Sequence, residues 1–242
     1  AVGINMVYAP VLDVNTNPDN PIIGTRALSD TPEWVGRMGK AVIAGIQEAG
    51  VFPVGKHFPG HGDTDRDSHL ELPYVNREAD SLEKIELEPF AQAVSQGLKV
   101  IMTAHVIYSA WDDKLPATFS PIILKSILRE KLDFDGLIIT DDLEMKAVEK
   151  HIPFGSIPKL GSIAGVDLYL ICHDRKKTLS LQNQMIQDIE MGHIDKKLIE
   201  LSAQRIIDFK KKIPSTSHGK ENLSDLAMDH IELIREMKSH LP

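Results

Sequence analysis

The sequence predicts an α/β fold, a (β/α)8-type barrel that lacks its N-terminal strands. Three observations carry this. Short β-rich apolar runs alternate with helical patterns, which implies parallel strands joined by crossover helices. Polar residues collect directly after the runs. The βα connections 13–29 and 58–79 are long, and barrels keep their active sites on such loops. Only five strands are evident, so a complete five-stranded doubly wound sheet is the competing reading. The loop lengths favour the barrel.

The predicted strands are Gly3–Leu12, Val51–Gly55, Val100–Ala104, Leu137–Thr140 and Val166–Ile171. The first helix spans Pro32–Ala49, with Trp34, Val35, Met38, Val42 and Ile46 on one face and Gly50 as its stop. Glu88–Gln96 follows, with Pro89 in the first turn and Gly97 after it. Ser120–Leu132 has Ser120 as N-cap and Pro121 at the first helical position. Leu143–Lys150, Thr178–Met191 and Asp195–Ile213 complete the helical set. Pro214–Asn222 reads as a linker, and Leu223–Leu241 as an amphipathic helix, docked or opening a further C-terminal domain. The domain reading is therefore a barrel over 1–213, incomplete at its N-terminus, followed by linker and helix over 214–242. Ala1–Pro10 reads at once as a strand, without initiator methionine or leader, as expected of a chain that starts inside a larger protein.

Of the 242 residues, 42% are hydrophobic and 26% charged, an ordinary globular composition. Lys plus Arg number 27 against 35 Asp plus Glu, and a chain this acidic lacks the footprint of a nucleic-acid binder. No apolar run approaches the ~20 residues of a membrane span. The one cysteine, Cys172, excludes an internal disulfide and a CxxC metal site, fits cytoplasm or cell envelope alike, and reads as a small buried apolar residue.

Chemistry gathers at the strand ends: Asp13 and Asn15, Lys56 and His57, Thr103 and His105, Asp141 and Asp142, His173 and Asp174. Capping of the next helix is an equal alternative for Asp142 and Asp174. The densest stretch is Lys56-His-Phe-Pro-Gly-His-Gly-Asp-Thr-Asp-Arg-Asp-Ser-His69. Asp63, Asp65 and Asp67 alternate as in a Ca²⁺ loop, but Ser68 and Tyr74 stand where Gly and Glu are required. A zinc-protease helix is excluded because Pro59-Gly60 separates His57 from His61 and no general-base Glu is present. Two readings remain, a solvated structural loop and a mobile catalytic one. In the second, Asp67 raises the pKa of His69 so that it serves as general acid and then base. Asp141, at the end of a buried strand, has the rigid placement a covalent nucleophile needs. Asp142 is the better cap for the following helix.

These segments closely resemble glycoside hydrolase family 3, in its bacterial β-N-acetylglucosaminidase branch. The resemblance rests on Gly3–Asn15, Gly24-Thr-Arg26, Lys56–Thr64 with Asp67-Ser-His69, Met102–His105, Ile139–Met145 and Ala164–Asp167, in order. It implies a retaining glycosidase that removes terminal β-linked N-acetylglucosamine, as from peptidoglycan fragments. Asp141 would form the glycosyl-enzyme, and His69 would be the acid/base polarised by Asp67. Arg26, Lys56 and His57 would bind sugar hydroxyls. No metal or organic cofactor is implied. The family's barrel begins earlier than Ala1, so a missing N-terminal segment or a second chain would complete it. A phosphorylase is the alternative, because His69 repels phosphate less than a carboxylate would. A truncated barrel that binds sugar without turnover is the third reading.

Overall fold

The computed structural model describes residues 3–64, 72–213, 228, 231–236 and 239. Eight short strands occur among them: β1 (Met6–Val7), β2 (Phe52–Pro53), β3 (Gly55–Phe58), β4 (Tyr74–Val75), β5 (Val100–Thr103), β6 (Ile107–Tyr108), β7 (Leu137–Asp142) and β8 (Leu168–Leu170). All their pairings are parallel. Met6 of β1 faces Phe52 of β2, and the same two lines meet again at a bridge between Val11 and Lys56. From there β3 pairs with β5, β5 with β7 and β7 with β8.

Spatial order along this frame therefore follows chain order. A doubly wound sheet would put its first strand in the middle and reverse direction there. Winding in one direction is what a barrel requires, so the structure is a barrel arc rather than the five-stranded alternative. Pro10 and Pro53 have no N–H to donate, which explains why the first two lines are short and interrupted. β3 and β7 run further than the sequence pattern suggests and carry Lys56, His57, Asp141 and Asp142 on the strands themselves. Polar residues continuing an apolar run conceal that extension. The side pair β4 with β6 was not legible, being two residues long on each side.

Both faces of the arc are covered, as parallel sheets require. Ile101 and Ile138 point outward into a layer with Val35, Ile43, Phe90, Ile123 and Leu128. Their neighbours Val100, Met102, Leu137 and Ile139 point inward with Val54. Asp141 has the same parity as Leu137 and Ile139, so it continues the inner face at the strand's C-terminal end.

The helices are α1 (Pro32–Glu48), α2 (Ala79–Lys84), α3 (Glu88–Ser95), a π-helix over Ile122–Lys131, α4 (Lys146–Glu149), α5 (Ile157–Ala164), α6 (Arg175–Glu190) and α7 (Lys196–Lys210). Ser120 acts as expected at the π-helix, its hydroxyl accepting from the Ile123 N–H at 3.2 Å. The apolar face expected for α1 needs correction: Val35, Gly36, Gly39 and Ile43 are buried, whereas Trp34 and Met38 are exposed. The two glycines let α1 approach so closely that a Cβ on Gly39 would meet Leu12 at 2.6 Å. Trp34 instead lies outside under the Arg37 guanidinium, 5.1 Å from its ring centre. The helix expected over Leu143–Lys150 shrinks to α4.

Asp167, fully desolvated at the entry to β8, ties the arc to its helices. One carboxylate oxygen accepts from Arg129 and the Ile138 amide, at 2.8 and 2.9 Å, and the other from Ser202 and Arg205, also at 2.8 and 2.9 Å. α7 sends Phe209 onto the inner face, 4.4 Å from the Phe52 ring. Among the described residues no further strand pairs the outer edge of β1 or β8, and Ile4, Val7 and Tyr8 beside β1 are exposed. The linker 214–222 lies outside the described residues. Of the helix expected over 223–241, residues 231–236 are helical with Leu233 and Ile234 exposed. Among the described residues no helix is long and apolar enough to cross a membrane.

Candidate active site

The C-terminal ends of the first lines and β7 bring Asp13, Lys56, His57, His61 and Asp141 together. Asp13 is inaccessible to solvent, and all its acceptor capacity is directed at one segment. Its Oδ1 takes the backbone N–H groups of His57 at 3.0 Å and His61 at 2.7 Å, while Oδ2 lies 2.8 Å from His57 Nδ1. Burial alone would raise this carboxyl, but the two histidines and the amides outweigh it and hold its pKa below the ordinary value. With Nδ1 held on Asp13, the His57 ring presents Nε2 to Asp141, 3.9 Å from Oδ2.

Asp141 is the partly open member, its side chain 23% exposed. Burial pushes its pKa up. His57, His105, the Asp142 amide at 2.8 Å and Lys56 together push harder the other way, so it is ionised throughout the neutral range. Lys56 is lowered, chiefly by burial and further by Arg26, with Asp141 and Asp13 opposing. Arg26 itself sits in the exposed turn Gly24–Arg26 with its Nε on the Ile22 carbonyl at 2.9 Å. Of the residues expected in the site, Arg26, Lys56, His57 and Asp141 thus act electrostatically on one another. Asp67 and His69 lie outside the described residues.

The segment after β3 is held from three sides. Tyr108 donates to the Gly60 carbonyl at 2.6 Å, and His61 Nδ1 meets Thr64 Oγ1 at 2.8 Å. Asp63 accepts from Thr16 at 2.8 Å and, through both oxygens, from Arg77. Burial, with His57 adding to it, lowers His61 to about 4, so its imidazole is neutral at pH 7. Sequence reasoning weighed His61 only as a zinc ligand and missed its amide as the second donor to Asp13.

Glu86 was missed as well. It sits between the buried Leu82 and Leu87, an acidic residue on an apolar face, which was the available signal. Its surface is wholly buried and neither carboxyl oxygen has a hydrogen-bond partner among the described residues. Burial, only partly offset by Arg77, pushes it from 4.5 up to about 7. The folded state therefore keeps a proton that the unfolded chain releases, and stability falls as pH rises from 4.5 to about 7 and is level above. Glu86→Gln removes that slope. Urea unfolding should show the variant gaining about 3 kcal/mol on the wild type between pH 4.5 and 7.5, and an unchanged difference would contradict the buried protonated carboxyl.

On the β8 side the polar residues serve the backbone. Asp142 does not cap a helix, since α4 starts after Met145; its Oδ1 accepts from Glu144 N and Cys172 N at 3.1 and 3.3 Å. Asp174 caps α6 through the Lys176 N–H at 2.8 Å. Glu144 accepts from the His173 amide at 2.5 Å and the Asp174 amide at 3.2 Å. Ligand atoms of Asp142, Glu144 and His173 lie within 4.8 Å of one another; these backbone bonds hold the two carboxylates, and the exposed His173 ring sits with Nε2 3.6 Å from Asp142 Oδ2. Cys172 is exposed, not buried, because β8 ends at Leu170 and the chain turns out to the rim. His105 is buried against Thr118 at 2.7 Å and the Asp142 carbonyl at 3.2 Å, and burial lowers its pKa.

Comparison with known proteins places the chain in a family. Residues 1–209 match the glycosyl hydrolase family 3 N terminal domain. A beta-hexosaminidase of Hydrogenovibrio crunogenus is 41% identical over 177 residues, 72% of this chain and 48% of that protein. A glycoside hydrolase family 3 beta-N-acetylglucosaminidase from Paenibacillus sp. str. FPU-7 superposes with a TM-score of 0.86 at 38% identity, over 91% of this chain and 43% of its own. A beta-glucoside phosphorylase superposes with a TM-score of 0.83 at 27% identity, over 88% of this chain and 40% of its own. The chain spans about half the length of the relatives it matches.

Proposed function

We propose, for a chain that belongs to glycosyl hydrolase family 3, that its activity is the retaining hydrolysis of terminal β-linked N-acetylglucosamine, as carried by peptidoglycan fragments. The observation that carries this reading is Asp141: an ionised, half-buried carboxylate at the end of β7, 3.9 Å from a histidine whose other nitrogen is fixed on a buried aspartate. Asp141 attacks the anomeric carbon as the bond to the leaving oxygen breaks, and His69, polarised by Asp67, gives that oxygen its proton. His69 then takes a proton from water, which attacks the same carbon, and Asp141 leaves as carboxylate. Arg26, Lys56 and His57 hold the sugar hydroxyls. No metal or organic cofactor enters the scheme.

The barrel reading extends over 1–213, with 214–242 as linker and amphipathic helix. The edges of β1 and β8 that no strand pairs among the described residues are closed, on this reading, by strands from an N-terminal segment or a second chain. Resemblance to a phosphorylase supports a second reading, in which phosphate replaces water in the second step.

A chromogenic β-N-acetylglucosaminide, offered with and without phosphate, separates these. Free N-acetylglucosamine under both conditions is the expected product. Sugar-1-phosphate formed only with phosphate would establish phosphorolysis. Saturable binding of the sugar without any product would mark a barrel that binds but does not turn over.

A further inference from the structure

Glu86 is a carboxylate with no hydrogen-bond partner among the described residues, in a wholly buried place where an apolar side chain would cost less. What it touches is the segment that completes the candidate site. Gly60 has φ +141°, and its backbone lies so close that an added Cβ would sit 2.8 Å from Glu86 Cβ. Arg77 Nη1 is 3.6 Å from Glu86 Oε1, while the same guanidinium forks onto Asp63. Asp63 in turn holds Thr16, three residues beyond Asp13. One end of this chain of contacts is Glu86, and the other flanks the amide that His61 gives to Asp13.

We propose that Glu86 is a positioning residue: its negative charge fixes Arg77 between two carboxylates and so braces the 60–64 turn against Asp13 and His57. Among the described residues, the charged and titratable groups facing Glu86 are Arg77, Asp63 and Tyr108. Burial raises Tyr108 well above its ordinary value, so it stays neutral, and Lys84 and Glu88 on the same segment are exposed. When Glu86 is protonated, Arg77 keeps Asp63 alone among its described ion-pair partners, and the turn loosens. The charge costs stability and is kept for the geometry it imposes, as is common where activity needs a strained arrangement. The effect on turnover rests on the glycosidase reading; the effect on the turn does not.

The test compares wild type with Glu86→Gln, which keeps the shape and cannot ionise, at pH 5.5 and pH 8. Two quantities are read: exchange of the His61 amide, corrected for its intrinsic rate, and kcat with KM on the chromogenic N-acetylglucosaminide. At pH 8 the variant should exchange about tenfold faster and turn over about tenfold more slowly with KM little changed, because the turn is displaced rather than the sugar contacts removed. At pH 5.5, where wild-type Glu86 is itself neutral, both differences should disappear. Glu86→Gln should also add nothing to Arg77→Gln at pH 8. Wild-type exchange and kcat in the variant at pH 8 would overturn the proposal, as would equal losses at both pH values, which a purely structural role predicts. If wild type cleaves no N-acetylglucosaminide, the glycosidase reading fails while the exchange data still decide on the brace.

Discussion

Asp141→Ala should lower kcat on a β-N-acetylglucosaminide by roughly 10⁴-fold or more, with KM close to wild type, since it removes the nucleophile and leaves the sugar contacts in place. The expectation follows from where the charge sits. Asp141 projects from the inner face of a strand whose preceding residues Leu137 and Ile139 are packed, so its position is set by the sheet and not by a loop. Three cationic or polarisable groups converge on it: His57, His105 and Lys56. Burial opposes ionisation, but their sum exceeds it, and Asp141 stays charged until the pH falls below the usual carboxylate range. Any loss of activity between pH 5 and 7 should therefore not come from Asp141, and kcat/KM in that window should be unchanged in shape by substitutions that only weaken its sugar contacts. Asp141→Asn should be nearly as inactive as alanine while unfolding at a similar urea concentration, because the amide preserves the volume at a partly open position. Activity near wild type in Asp141→Ala would remove this residue from the chemistry altogether.

The largest effect on stability is expected at Asp13. Asp13→Ala leaves the amide donors of His57 and His61 and the His57 ring nitrogen without their acceptor in a site closed to water. Removing one partner of a buried hydrogen-bonded charge costs about 3–5 kcal/mol, a large share of the whole stability of a domain. The folded-state pKa of Asp13 is below 3.8, so its contribution is fully present above that value and is lost as pH falls through the folded pKa. The difference between wild type and variant should thus be constant from pH 5 to 8 and shrink in acid. Asp13→Asn should fall between them, since its amide oxygen serves one donor while its NH2 confronts the others. Urea unfolding decides; a loss under about 1 kcal/mol for Asp13→Ala would mean the donors find water or other acceptors.

The parts of this molecule legible in the sequence are those with local causes. Alternating apolar runs located the lines of β3, β5, β7 and β8, and Pro at first helical positions with Gly or polar stops located α1, α3 and the π-helix. The strand order was not legible, because parallel pairing joins residues far apart in the chain, such as Met6 with Phe52. The α1 face was misjudged because glycine carries no hydrophobicity, yet at Gly36 and Gly39 it decides which side packs. Asp13, His57 and Asp141 could be placed at strand ends from pattern alone. Their mutual contacts could not, since Asp13 reaches residues 44 and 48 positions away. Glu86 left a signal but not its meaning: an acid interrupts an apolar pattern there, while its environment is made by Gly60 and Arg77 from other elements.

The claim most exposed to test is that the sugar passes through a covalent bond to Asp141. An activated 5-fluoro N-acetylglucosaminide, which forms such an intermediate faster than it is hydrolysed, should inactivate the enzyme. Mass spectrometry of the digested protein should then show one added sugar, on the peptide that carries Asp141 and nowhere else. Time-dependent labelling confined to another carboxylate, or turnover of the ordinary substrate with no adduct at any time point, would contradict the account.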